Sequence, residues 1–174
     1  MAISARMLLD TSPRTAAIMV LALAFATIAG AWIFEWAGYL PCELCLKQRW
    51  AYYTGVPLAL AAAICAYAGP RWLAKALLVL LAVIFSASAV FGAYHAGVEW
   101  KFWPGPSGCT GGMQFGGDMG DFRKQLEGAA KLVRCDEVAI RILGLSLAGW
   151  NAVISSFLAA AAARGAFHDT ARSA

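Results

Sequence analysis

The chain has 174 residues, of which 61% are hydrophobic and only 14% charged, with a mean hydropathy of +0.64 and a formal net charge of +4. A soluble domain of this length runs near half apolar and a quarter charged, so there are too few charges here to cover a water-facing surface. Intrinsic disorder, a collagenous fibre and an ordinary soluble enzyme are disfavoured, no nucleic-acid partner is expected, and the main solvent is expected to be membrane lipid.

Four long apolar stretches follow one another. The first, Ala16 to Phe34, and the second, Trp50 to Gly69, carry no charge. The third, Trp72 to Tyr94, has Lys75 one turn in, and the fourth, Val138 to Ala163, has Arg141 near its start and Asn151 near its middle. A bilayer core about 30 Å thick needs roughly 20 apolar residues. Each stretch is long enough, and the need to satisfy backbone hydrogen bonds in lipid makes each a helix. The expected fold is an all-α membrane protein, one integral domain over residues 1–174. It is a four-transmembrane-helix bundle with spans at about 16–34, 50–69, 72–94 and 138–163. The first stretch could instead be a cleaved signal peptide, with Arg6 and Arg14 ahead of it and Ala29-Gly30-Ala31 at its end. It is longer than a signal core and ends in Trp32, Phe34 and Trp36, which resembles an interface anchor, so a retained helix is the expectation.

Orientation rests on the basic residues. Arg6, Arg14, Arg71, Lys75, Arg164 and Arg172 lie on the side holding both termini; the other side holds Lys47, Arg49, Lys101, Arg123, Lys124, Lys131, Arg134 and Arg141. Raw counts favour the second side. The first set is packed into short segments against only Asp10 and Asp169, whereas the second is mixed with the remaining acids. Both termini are therefore expected on the cytoplasmic face. Two outside loops result, at about 35–46 and 95–137. The longer opens with a Trp- and Pro-rich segment, passes through a glycine-rich run from Gly108 to Gly120, and ends in an amphipathic pattern. There Met119, Phe122, Leu126, Ala129 or Ala130, and Val133 recur at helical spacing among Asp121, Arg123, Lys124 and Lys131. A short helix lying on the membrane surface is expected, with packing onto the loop's own core as the alternative.

Four of the five cysteines fall on the outer side in this topology. Cys42 and Cys45 form Pro-Cys-Glu-Leu-Cys just before the second span, Cys109 and Cys135 lie in the long loop, and Cys65 alone sits inside a span. Two cysteines separated by two residues form a small, labile disulfide with one thiol often lowered in pKa, which suits redox chemistry. Zinc would need further ligands from Cys109, Cys135 and His95, and there is no second close cysteine pair; no metal site is expected. Cys109 and Cys135 either staple the loop or exchange, and the glycines around Cys109 favour exchange. Cys65, among Ala and Ile, reads as a packing residue. Arg49 lies four residues after Cys45, on one face of a helix, where it can stabilise a thiolate and hydrogen-bond an acceptor oxygen, or simply snorkel to the interface. His95, at the end of the third span, is an interface histidine or a donor to a ligand.

Pro41-Cys42-Glu43-Leu44-Cys45-Leu46-Lys47-Gln48-Arg49 resembles the PCxLCxxQR signature of the disulfide bond formation protein B (DsbB) family. Tyr94 to Trp100, the WPGP that follows, and Ser146 to Asn151 are also similar to members of it. The resemblance spans nearly the whole chain. It implies a bacterial inner-membrane oxidase that reoxidises a periplasmic DsbA-type thiol oxidase and passes electrons to a membrane quinone, ubiquinone or menaquinone. By the same resemblance Cys109 forms the mixed disulfide with the partner and Cys135 relays electrons to the CxxC pair. Cys45 faces the quinone through a thiolate charge-transfer complex or adduct, and Cys42 completes the pair. Arg49 matches the arginine that orients the quinone, and His95 matches less closely a histidine near its ring. The Trp- and Gly-Pro-rich loop ahead of Cys109 departs from the family pattern, and Cys65 matches no family position. The alternative is a membrane metal-binding or transport protein using the cysteines as ligands.

Overall fold

The computed structural model of the chain describes residues 12–106 and 134–167. Helix α1 runs Pro13–Trp36, α2 Glu43–Ala68 and α3 Arg71–Glu99; strands β1 Arg141–Ile142 and β2 Leu145–Ser146 follow, then α4 Leu147–Phe167. Proline and capping chemistry set the helix starts. Ser12 caps α1, its Oγ accepting from the Thr15 N–H at 3.3 Å, with Pro13 in the first turn, where a missing N–H costs nothing. Pro70 precedes α3 in the same role, and Cys42 itself caps α2.

Among the described residues three helices are long and apolar enough to cross a membrane: α1, α2 and α3, of 24, 26 and 29 residues. At 1.5 Å per residue they reach about 36, 39 and 44 Å, beyond the hydrocarbon thickness. Helix α4 adds a fourth of 21 residues. Inward faces are built from small side chains. Ala16, Val20, Ala24 and Ile28 recur at helical spacing on α1, while Phe25, Ile33 and Trp36 point outward. Helices α3 and α4 pack closely: a Cβ on Gly92 would stand 2.9 Å from the Ala152 nitrogen. In lipid, where apolar faces gain little from association, this close small-residue packing and interhelical hydrogen bonds hold a bundle together. Both are present. Tyr52 donates to Asn151 Oδ1 at 2.6 Å, and Ser155 Oγ donates to Ser88 Oγ at 3.0 Å, which ties α2, α3 and α4 through buried polar groups.

The fourth apolar stretch does not begin as a helix at residue 138, and that expectation is corrected. Residues Arg141 to Ser146 form an antiparallel hairpin pairing Arg141 with Ser146 and Ile142 with Leu145. Its turn, Leu143-Gly144, has both φ values positive, 52° and 83°, the geometry that matches the twist of a two-residue hairpin. Trp150 Nε1 donates to the Ile142 carbonyl at 2.9 Å and fastens the hairpin to α4. Helix α2, conversely, starts earlier than expected, so Cys45, Lys47 and Arg49 already lie on it, and α3 extends past His95 to Glu99. Trp103 then folds back, stacking on Tyr94 at 5.9 Å and lying over Gly97, where a Cβ would meet its ring at 2.1 Å. The glycine-rich run, the expected amphipathic helix over 119–133, and Cys109 lie outside the described residues.

Candidate functional site

The α2 N-terminus, the end of α3 and the segment carrying Cys135 meet at one point. Cys42 is buried, and its Sγ accepts the Cys45 backbone N–H at 3.2 Å. The Cys42 and Cys45 sulfurs lie 2.7 Å apart. His95 Nε2 lies 3.6 Å away, and its Nδ1 is held by Gln48 at 2.8 Å, so a buried glutamine fixes the ring. Cys135 is fully buried beside them, and the ligating atoms of Cys42, His95 and Cys135 lie within 4.8 Å of one another. Cys135 is disulfide-bonded, while Cys42, Cys45 and Cys65 are free thiols.

This geometry lowers the Cys42 thiol. The hydrogen bond with Cys45 is the largest influence, burial opposes it and His95 adds to it; together they bring Cys42 from an ordinary 9.0 down to about 5. A sulfur capping a helix also faces the positive end of the helix dipole. The lowered thiol in this arrangement is Cys42, the sulfur at the start of α2. Arg49 has a different partner. Its Nη1 donates to Glu35 Oε2 at 2.5 Å and its Nη2 to the Ala31 carbonyl at 3.4 Å, which clips α2 to the end of α1.

A cavity of about 330 Å³ opens beside the cysteines, bounded by α1, α2, α4 and the hairpin segment. Both Cys42 and Cys45 form part of its wall, with Gln48, Arg49, Tyr52, Glu99, Glu137 and Asn151 among its polar groups and mostly apolar neighbours such as Phe34, Ile28 and Ile142. His95 stands behind the sulfurs, against Cys42. The sequence reading passed over Gln48, Glu35, Tyr52 and Glu99. Gln48 stands inside the PCxLCxxQR motif, and Glu99 follows His95 by one helical turn, so spacing alone could have placed both at the site.

Outside the bundle, Asp136 accepts from Lys101 at 2.6 Å and from Arg134 Nε at 3.0 Å. The two cations hold its carboxyl down at about 2, chiefly through the Arg134 hydrogen bonds. Lys101 sits at φ 63° in the turn after α3, so this cluster pins the residue next to Cys135 to the end of the helix that carries His95.

A family model described as disulfide bond formation protein DsbB matches residues 13–164. The chain is 28% identical over 139 residues to an uncharacterized protein of Rickettsia prowazekii (strain Madrid E), covering 79% of this chain and 76% of that one. No solved structure matches it. With apolar helices long enough to cross a membrane and a CxxC pair set at a helix start, the chain belongs to the disulfide bond formation protein DsbB family and is a multi-pass membrane protein of disulfide oxidoreductase type.

Proposed function

We propose that this protein is a protein-dithiol:quinone oxidoreductase of the bacterial inner membrane. In this reading four helices span the bilayer with both termini cytoplasmic, and the long loop containing Cys109 faces the periplasm. A DsbA-type thiol oxidase is reoxidised there through Cys109–Cys135, and electrons pass to Cys42–Cys45 and then to ubiquinone or menaquinone. The observation that carries the reading is the meeting of Cys135, Cys42 and His95 within 4.8 Å, with both CxxC sulfurs in the wall of an adjacent apolar cavity.

The exchange steps balance without further groups. The partner's thiolate attacks Cys109 and releases Cys135 as a thiolate. Cys135 attacks Cys42 Sγ, the nearer CxxC sulfur, and Cys45 leaves. The partner's second thiolate attacks its own sulfur in the mixed disulfide, so the partner leaves oxidised and Cys109 is released as a thiolate; Cys109 then attacks Cys135 and frees Cys42. The low pKa of Cys42 makes it a good leaving thiolate in that last exchange. The cavity fits a quinone head group by its chemistry. It is mostly apolar, within the size of small-ligand sites, and carries donors at Arg49 and Gln48, while the buried Asn151 Nδ2 has no partner of its own. When bound, a quinone supplies a two-electron acceptor. The chain's residues hold the dithiol against it, exclude water and offer hydrogen bonds to its oxygens.

The test is anaerobic mixing of the protein with reduced periplasmic oxidase and quinone, following quinone absorbance. Wild type is expected to reduce quinone, and Cys45→Ser or Cys135→Ser is expected not to. Equal quinone reduction by Cys45→Ser would overturn the reading. The metal-binding alternative draws on the same three clustered side chains, but a Cys135 tied up in a disulfide offers no thiolate ligand. Stoichiometric zinc or copper in the purified protein, with all its thiols reduced, would favour it.

A further inference from the structure

Closing a disulfide from two thiols releases two protons as well as two electrons, and in a lipid-bounded site the protons need a carrier. Glu99 is placed for that work. It is the last residue of α3, one turn beyond His95, and its carboxyl lines the same cavity as Cys42 and Cys45. Its Oε2 is buried and has no hydrogen-bond partner among the described residues. The carboxyl has Ser146 as its hydrogen-bonding neighbour, and the Ser146 hydroxyl oxygen already accepts the Gly149 N–H at 3.1 Å, which leaves the hydroxyl proton to point at Glu99. No ion pair among the described residues includes Glu99. The charged and titratable groups around it are His95 on its own helix, Cys42 and Cys45 on α2, and Arg141 from the hairpin. Glu137 and Arg49 share the cavity wall.

A buried carboxyl oxygen without a partner is costly unless it carries a proton or receives one. We propose that Glu99 is the proton carrier of the redox centre, taking up a proton released as Cys42 and Cys45 close their disulfide and passing it to the electron acceptor in the cavity. The step balances. The Cys42–Cys45 bond forms and two electrons leave for a quinone-class acceptor. With Cys42 already ionised, one proton remains on the sulfurs; it goes to the Glu99 carboxylate and on to an acceptor oxygen, and the second acceptor proton comes from the aqueous side. Glu99 ends as it began. The proposal rests on the quinone-reducing function proposed above.

Full-length wild type, Glu99→Gln and Glu99→Asp in detergent test it in two ways. The first needs no acceptor: an infrared difference spectrum between the dithiol and disulfide forms. Wild type is expected to show a protonated-carboxyl band that Glu99→Gln lacks and Glu99→Asp retains at a shifted position. The second is quinone reduction against pH. Glu99→Gln is expected to slow it about 100-fold, as loss of a general acid–base does, with the quinone KM within about twofold and the pH dependence flattened. Glu99→Asp recovers part of the rate. A wild-type spectrum without the band, or Glu99→Gln turning over within about threefold of wild type between about pH 5 and 8, overturns the proposal. If wild type reduces no quinone at all, the functional reading fails on its own, and the infrared band alone decides whether Glu99 takes the dithiol's proton.

Discussion

The thiolate on Cys42 has a measurable size. At pH 7 a thiol held at about 5 is ionised roughly 100 to 1, and an ordinary one at 9.0 about 1 to 100. The dithiol form is thereby favoured on the order of 100-fold, which makes the Cys42–Cys45 disulfide more oxidising. The perturbation is Cys45→Ala, which removes the hydrogen bond with Cys45, the largest of the influences on Cys42. With Cys65, Cys109 and Cys135 replaced by serine, the rate of iodoacetamide alkylation is followed against pH. The Cys45-containing protein should show its inflection near 5, and Cys45→Ala should shift it up towards 9.0. His95→Phe should shift it in the same direction by less, because the histidine contributes less than the Cys45 thiol. Stability follows the same sign. A depressed thiol adds nothing below pH 5, adds progressively above it, and adds its full share above the unfolded thiol's value of about 8.5. Reduced wild type should therefore gain resistance to urea between those limits, and Cys45→Ala should gain much less. An alkylation inflection near 9 in both proteins would refute the reasoning.

Three further perturbations read other parts of the site. Asp136→Asn releases Lys101 and Arg134 and should slow exchange between Cys135 and Cys42, measured by acid-quenched trapping of the mixed species; because the Asp136 carboxyl sits at about 2, the wild-type rate should not depend on it anywhere above about pH 4, and the clamp should weaken only as pH falls towards 2. Gly97→Ala drives a Cβ into the Trp103 ring and should cost about 1–3 kcal/mol, read as a lower Tm in detergent, with an unchanged Tm refuting the contact. Tyr52→Phe leaves Asn151 Oδ1 without its 2.6 Å donor and should cost about 1–3 kcal/mol by the same assay.

Much of the helical frame is legible in the sequence because it depends on average properties. Length, apolarity and proline position mark α1, α2 and α3, and hydropathy sees those directly. The hairpin at Arg141–Ser146 is hidden for the same reason. Its residues are apolar enough to read as the start of a span, and only the Leu143-Gly144 turn, a two-residue signal, sets them apart. In the site the CxxC pair and its position at a helix start are readable, whereas the direction of hydrogen bonds is not. That the Cys45 sulfur lies against Cys42, that Gln48 turns the His95 ring, and that Glu35 reaches Arg49 are all contacts between residues whose spacing in sequence carries no preference for one pairing over another.

The Arg49–Glu35 pair changes what the arginine can do. Spacing sets the cation near Cys45, while the thiol lowered in this arrangement is Cys42, at the start of α2. Arg49 is mostly buried at the cavity wall, while its carboxylate partner Glu35 is 40% exposed and so is well solvated without it. An ion pair with one solvated member is weak, and its cation can turn towards a new anion at small cost. An acceptor in the cavity that gains electrons develops negative charge on its oxygens, and a guanidinium already desolvated at the wall meets that charge with little reorganisation. In the proposed function the two positive influences would then act on different atoms: the helix start and Cys45 on the Cys42 sulfur, Arg49 on the acceptor oxygen.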